Sequence, residues 1–343
     1  MKFDFIIGNP PYQEETQGTS DKPIYNLFMD ESYKIGSNVI LITPARFLFD
    51  AGKTPRAWNK KMLADPYLKI LFYEQKSSRV FSNTDIKGGI AVSYRSEEAD
   101  FGPIGTFSTI SELNTILRKV ISTGLTDTLD DIIFAQNKWN LESLYSDYPA
   151  IESKIGSNGR EKRLTTPIFA LTEVFHAKKT AEDIAIVGLI NNKRHTMYVN
   201  KKYIDTEKTN LNYWKVILPK SNGSGAIGEV LSTPLVGEPL VGEPLVGYTQ
   251  SFISFGSFNT EYEAQSLLKY IKTKFARCML GILKVTQDNN KGTWRYVPLQ
   301  DFTPASDIDW SKSISEIDRK LYKKYKLEKF EIDFIESRIK EMD

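Results

Sequence analysis

Asn9, Pro10, Pro11 and Tyr12 follow the apolar run Phe3-Asp4-Phe5-Ile6-Ile7-Gly8, and their types define a narrow chemistry. An exocyclic amine conjugated with a purine ring is a poor nucleophile, because its lone pair is delocalised into the π-system. The Asn9 side-chain oxygen and the Pro10 carbonyl, held rigid by the prolines, are suited to accept both amino hydrogens and free that lone pair to attack a methyl donor. Two successive prolines also fix φ and remove two donors that would compete for the same acceptors. Tyr12 offers a flat face on which a base swung out of a duplex can stack. No covalent intermediate is required, so no nucleophilic side chain need be sought. Gly, Asn and Pro also make ordinary turns. Placement after a strand-like run, where open α/β sheets carry their ligands, favours the functional reading.

The whole run from Phe3 to Tyr12 resembles the catalytic motif of the adenine-N6 DNA methyltransferases of restriction–modification systems, particularly the methylase and recognition parts of type IIG-like enzymes. That resemblance implies methyl transfer from S-adenosylmethionine to adenine N6 in double-stranded DNA. It also implies that residues 78–90 line the other side of the base pocket, with Phe81 stacking opposite Tyr12, although a loop Phe is often a cap on the core. Residues 41–48 look familiar from the same family and read as a strand followed by a loop that shapes the pocket. Residues 270–277, 284–287 and 294–299 resemble the family's target-recognition region, which carries the likeness over most of the chain.

Such a site needs a sheet to hold it. Residues 2–7 and 39–43 read as buried strands, joined by a helix with apolar positions at Ile24, Leu27, Phe28 and Ile35. A helix over 55–64 leads to a strand at 69–73, and Gly88-Gly89 introduces another at 90–94. The succession predicts an α/β fold, with a partial Rossmann-like methyltransferase sheet in a catalytic half over residues 1–140. A mixed α+β DNA target-recognition domain (141–312) and a C-terminal helical segment (313–343) are expected to follow. Because the motif begins at residue 9, the cofactor-binding half is expected from another subunit or an upstream segment, leaving the first strand with an unpaired apolar edge. The only G-x-G-x-x-G, ending at Gly228, follows a strand candidate at 214–218. It leads into residues 229–234, too short and Pro-stopped for the helix of a cofactor turn.

The 343 residues suffice for two domains, each with a core. A single Cys, the lack of a signal peptide and the lack of a bilayer-length apolar stretch argue against a secreted disulfide scaffold or a membrane protein, and lead to the expectation of a cytoplasmic one. A net charge of +2 does not advertise nucleic-acid binding, so any DNA surface must come from local clusters. Arg160, Lys162 and Arg163 are candidates for phosphate contact. Lys193 and Arg194, between strands expected at 184–189 and 196–199, are candidates for base edges. Lys272, Lys274 and Arg277 fall with Lys269 and Lys284 on the basic face of a long helix expected over 261–285, and Arg295 follows. Each of these also fits a solvated surface.

The remaining signals are blander. A further strand is expected at 169–175, His176 and His195 are too isolated for a metal site, and Cys278 reads as core. No nuclease constellation stands out. Residues 234–247 hold three copies of Pro-Leu-Val-Gly, the first two followed by Glu, and read as an extended loop tolerant of length changes. A non-catalytic DNA-binding specificity subunit, or an inactive remnant of a methylase, is the competing class. Isothermal titration of the chain alone with S-adenosylmethionine should show no tight binding; a tight complex would place the donor site within these residues.

Overall fold

Among the described residues β1 (Phe3–Gly8) lies at one end of a four-stranded sheet and runs parallel to one neighbour, β4 (Gly36–Pro44). Between them come β2 (Gln13–Glu14), β3 (Lys22–Pro23) and α1 (Tyr25–Ile35). The computed structural model describes residues 2–14, 22–82, 84–222, 227–233, 235–284 and 286–342. Residues 223–226 of the G-x-G-x-x-G segment, Asn83, Pro234 and Val285 lie outside the described residues.

The chain divides into two compact units, Met1–Arg118 and Lys119–Asp343. Their boundary falls within α3 (Ser111–Ser122), ahead of the change in character read from the sequence near residue 140. In the first unit α2 (Arg56–Ala64) precedes β5 (Leu68–Glu74) and β6 (Ile90–Ser96). The sheet order is β1-β4-β6-β5, with β6 antiparallel to both neighbours. The expected Rossmann-like sheet is thus reduced here to one parallel β-α-β unit within a mixed sheet, since parallel neighbours need a crossover and antiparallel ones do not.

One face of this sheet is well filled. Val39 and Leu41 from β4 pack with Tyr25 and Met29 of α1, Trp58 and Met62 of α2, and Phe47 and Leu48 of the intervening turn. Trp58 meets Tyr25 and Phe47 edge-on, with centroids 6.1 and 5.5 Å away, and its indole N–H donates to Asp30. Gly36 starts β4 where a Cβ would lie 2.6 Å from Ile6 Cδ1 and 2.9 Å from Val39 Cγ2, so a side chain there would have to displace those two.

The apolar face expected for α1 is not the buried one. Tyr25, Asn26 and Met29 are buried, whereas Leu27, Phe28 and Ile35 stay exposed. Phe3, Phe5 and Ile7 of β1 are 54, 67 and 76% exposed, so a strand expected to be buried is covered on one face only. Parallel strands normally have both faces covered.

In the second unit β9 (Asp183–Ile190) and β10 (Lys193–Asn200) form a hairpin. Its turn is Asn191-Asn192, both at positive φ, the signature of a tight two-residue connection. The strand expected at 169–175 is instead a 3-10 turn over Thr166–Ala170 and further turns, whose Ile168, Phe169 and Phe175 enter the core beneath β9. Before this hairpin come β7 (Ile133–Phe134), β8 (Lys138–Trp139), α4 (Leu141–Asp147) and α5 (Ile151–Ile155). After it come β11 (Ile204–Asp205), β12 (Trp214–Pro219), β13 (Leu240–Gly242), β14 (Val246–Tyr248) and β15 (Phe252–Phe258). Two of the sheets have the orders β10-β9-β14 and β13-β12-β15-β7.

The helix expected over 261–285 is two helices, α6 (Glu261–Lys272) and α7 (Lys274–Leu280). Thr273 is extended between them and its side chain caps α7, while the Asp318 carboxylate accepts the Lys274 and Phe275 N–H groups at 3.0 and 2.8 Å. These acceptors satisfy the amides that the break exposes. Asp318 belongs to α8 (Ile314–Lys324), which with α9 (Lys329–Arg338) packs on α6 and α7. The C-terminal segment therefore buries Ile317, Leu321, Tyr325, Ile335 and Ile339, within the second unit.

The repeat is not a loose loop, because its copies build two different sheets. Leu240-Val241-Gly242 forms β13 against β12, and Val246-Gly247 opens β14 against β9. A Cβ on Gly242 or Gly247 would lie 2.7 or 2.8 Å from a neighbouring side chain. Because the copies are identical, deleting one leaves two, enough for both strands; deleting residues 234–243 leaves one and should lower stability by roughly 3 kcal/mol and the unfolding midpoint by about 10 °C. An unchanged melting curve would restore the tolerant-loop reading.

Candidate functional site

Beyond Gly8, which pairs with Leu41, the chain leaves the sheet as Asn9-Pro10-Pro11-Tyr12, with Asn9 and Pro11 exposed and Pro10 and Tyr12 half-buried. The Tyr12 carbonyl accepts the Ile24 N–H at 3.2 Å, and the short β2–β3 ladder then pairs Gln13 with Pro23. These contacts tether the end of the motif to the start of α1.

Pro11 and Tyr12 line a cavity of about 550 Å³, with Tyr25, Pro44, Arg46 and Ile86 among its other walls. A volume in the range of sites for drug-sized ligands, walled by aromatic and proline faces, suits a planar heterocycle. The Tyr12 hydroxyl is enclosed without a well-formed hydrogen bond among the described residues. Burial raises its pKa, and the Asn9 side chain opposes that rise. Tyr25 is pushed up to about 12 by burial, against a hydrogen bond with Thr54 and the charge of Arg46. Thr54 in turn donates to Asn59 at 2.7 Å, and Asn59 to Asp50 at 3.2 Å, which fixes the loop carrying Lys53.

Phe81 does not line the cavity; Asp85 and Ile86 do. Ser77 Oγ accepts the Ile86 N–H at 2.8 Å and donates to the Thr84 carbonyl at 3.0 Å, drawing residues 84–86 inward. The Phe81 amide is meanwhile tied to the Ser77 carbonyl at 2.8 Å. Stacking by Phe81 opposite Tyr12 is thus not what this arrangement offers. Arg46 lies in the segment 41–48, expected to shape the pocket, whereas Tyr25, Lys53 and Thr54 carried no signal of their own in the sequence and reach the cavity only through the fold.

The basic candidates separate into two groups. Arg160, Lys162, Arg163, Lys193 and Arg295 are exposed, Arg163 pairing with Glu161 and Arg295 lying 5.2 Å from the Tyr296 ring. Arg194 is half-buried, donating to the Glu238 carbonyl and lying over Phe252. The basic face expected on the long helix is turned to internal use. Lys269 donates to the carbonyls of Trp310, Ser311 and Lys312, and Lys272 and Lys274 pair with Glu238 and Glu336. Lys284 is buried against the Asn222 and Thr286 carbonyls. Arg277 is 1% exposed and donates to the Lys272 and Lys340 carbonyls, while burial lowers its pKa to about 10. A side chain so enclosed reaches no phosphate, which removes Arg277 from any DNA surface.

Cys278 is buried, as expected of a core residue. Among the described residues no group of His, Cys, Asp and Glu can hold a metal ion, and no helix is long and apolar enough to cross a membrane. Nor do the described residues of the first unit offer S-adenosylmethionine a strand, glycine turn and helix. Among them β4 leads into a 3-10 turn at Arg46–Phe49, and β5 into another at Ser77–Arg79. The described residues of the first unit thus lack the turn that would fit the methyl donor.

Residues 1–81 match the family described as Eco57I restriction-modification methylase. No curated protein matches the chain. Among solved structures, the type IIL restriction-modification enzyme MmeI in complex with DNA is similar over 96% of this chain, at 10% identity and a TM-score of 0.33. The alignment spans 56% of that enzyme's chain.

Arg277→Leu should cost roughly 2–4 kcal/mol of stability, through unpaired carbonyls and an imperfectly filled space, and leave DNA affinity unchanged. Weakened DNA binding by a fully folded variant, read by fluorescence anisotropy, would return Arg277 to the interface.

Proposed function

We propose that this chain is the base-side component of a DNA methyltransferase in a restriction–modification system, acting on the N6 amino group of an extruded adenine. The observation that carries the reading is Asn9-Pro10-Pro11-Tyr12 at the C-terminal end of β1, whose Pro11 and Tyr12 line a cavity of about 550 Å³ while Asn9 and Pro10 stand just outside that lining. The match of residues 1–81 to a restriction-modification methylase family supports it. In this reading Asn9 and the Pro10 carbonyl accept the two amino hydrogens. Pro11 keeps that turn rigid and Tyr12 stacks on the base. Tyr25 and Ile86, rather than Phe81, are the walls against which the base rests.

The methyl donor, S-adenosylmethionine, is held elsewhere, on a partner subunit or a further segment. The exposed Phe3, Phe5 and Ile7 of β1 and Leu27 and Phe28 of α1 are the surface that such a half would cover. Double-stranded DNA is the substrate, and the exposed Arg160, Lys162, Arg163, Lys193 and Arg295 are the residues available to its phosphates. The lack of a donor turn among the described residues of the first unit favours one alternative, a non-catalytic DNA-binding specificity subunit or a remnant.

Asn9→Ala separates the two. Transfer of a labelled methyl group to unmethylated DNA, with the donor-binding half supplied, should fall by about 100-fold or more while DNA affinity is kept. Undiminished transfer by the variant sinks the assigned role, and a wild type that binds DNA but stays inactive with the donor-binding half in place supports the binding-only class.

A further inference from the structure

Arg46 is held in a manner that its packing role does not require. Two glycines at positive φ, Gly52 and Gly88, close on its stem: a Cβ on the first would lie 3.1 Å from Arg46 Cβ and Cδ, and on the second 2.7 Å from Cγ. Its Nε donates to the Lys87 carbonyl, and among the described residues the guanidinium forms no ion pair with a carboxylate. A side chain fixed along its length, with its outer donors unclaimed there by any acid, presents a planar positive fork to the cavity it lines. Its charge is felt at the Tyr25 hydroxyl. Lys53 lines the same cavity, and Asp85, another of its described walls, pairs with Lys87 at 2.6 Å.

A base cannot leave a duplex without carrying its sugar and flanking phosphate toward the pocket mouth. The cavity has room for more than a base. We propose that Arg46 binds the phosphate of the extruded nucleotide, so that the site recognises a nucleotide and not a free base or nucleoside. Arg46 is then a positioning residue: it fixes the phosphate while Asn9 and Tyr12 hold the base. The inference rests on the reading of this cavity as the base pocket.

The test compares deoxyadenosine with its 3′- and 5′-monophosphates on the full chain, by ligand-observed saturation-transfer NMR with circular dichroism to verify folding. At least one monophosphate should bind about tenfold more tightly than the nucleoside, as a charge-assisted contact allows. Arg46→Gln should abolish that preference, so that nucleoside and monophosphates bind alike, whatever the nucleoside affinity of the variant. Equal affinity of nucleoside and both nucleotides for the wild type overturns the proposal while sparing the base pocket, and so does an undiminished preference in Arg46→Gln. Binding of none of the three ligands overturns the base-pocket reading and the proposal with it. The wild-type comparison decides even if the variant misfolds, and Tyr12→Ala provides the complementary result, a loss of nucleoside affinity with the phosphate preference kept.

Discussion

The parallel ladder between β1 and β4, from Phe3 opposite Gly36 to Gly8 opposite Leu41, is the constraint on which the candidate site depends. It determines where Asn9 emerges, because the motif begins at the residue after the last pair. The ladder also brings the end of β1 beside the end of β4, where Pro44 and Arg46 leave the sheet. Without that registration the prolines would stiffen a segment with no fixed origin. With it, their fixed φ angles carry the order of the sheet into the cavity wall.

That ladder is one-sided. β4 is flanked by β1 and β6, whereas among the described residues β1 pairs with β4 alone and exposes Phe5 and Ile7. An apolar strand in this position is stabilised on one edge and one face, so the motif sits on one of the less supported strands of its sheet. The surrounding hydrogen bonds compensate locally. Tyr12 to Ile24, the β2–β3 pairs and the Thr54–Asn59–Asp50 chain all anchor the far side of the cavity to α1 and α2, whose Met29 and Met62 are fully in the core.

The strands of the first unit were legible because short apolar runs ended by Gly and Pro leave few alternatives. So was the position of the motif. The buried face of α1 was not, since Leu27 and Phe28 are apolar without being covered, and hydrophobic spacing marks what can be buried, not what is. The basic complement of the helix at 261–285 misled for a related reason. Whether Lys269 or Arg277 meets water or carbonyls depends on the return of α8 and α9, some forty residues or more away in the chain. The cavity walls are non-local too: Tyr25, Arg46, Thr54 and Ile86 converge from four segments, of which those of Arg46 and Ile86 were marked by resemblance and those of Tyr25 and Thr54 were not.

The repeat places one peptide in three settings. Leu235 is exposed in a turn, Leu240 lies within β13, and Leu245 sits at a positive φ of 66° before β14. Identical spelling therefore carries no address; the flanking strands assign each copy its conformation. Five residues is also an odd number, and side chains alternate between the two faces of a strand. A gain or loss of one copy that was absorbed into a strand by sliding would turn inward residues outward. Replication slippage can change the copy number at this locus freely in the gene, but the two sheets act as a filter that admits only those copy numbers whose surplus is expelled into a turn.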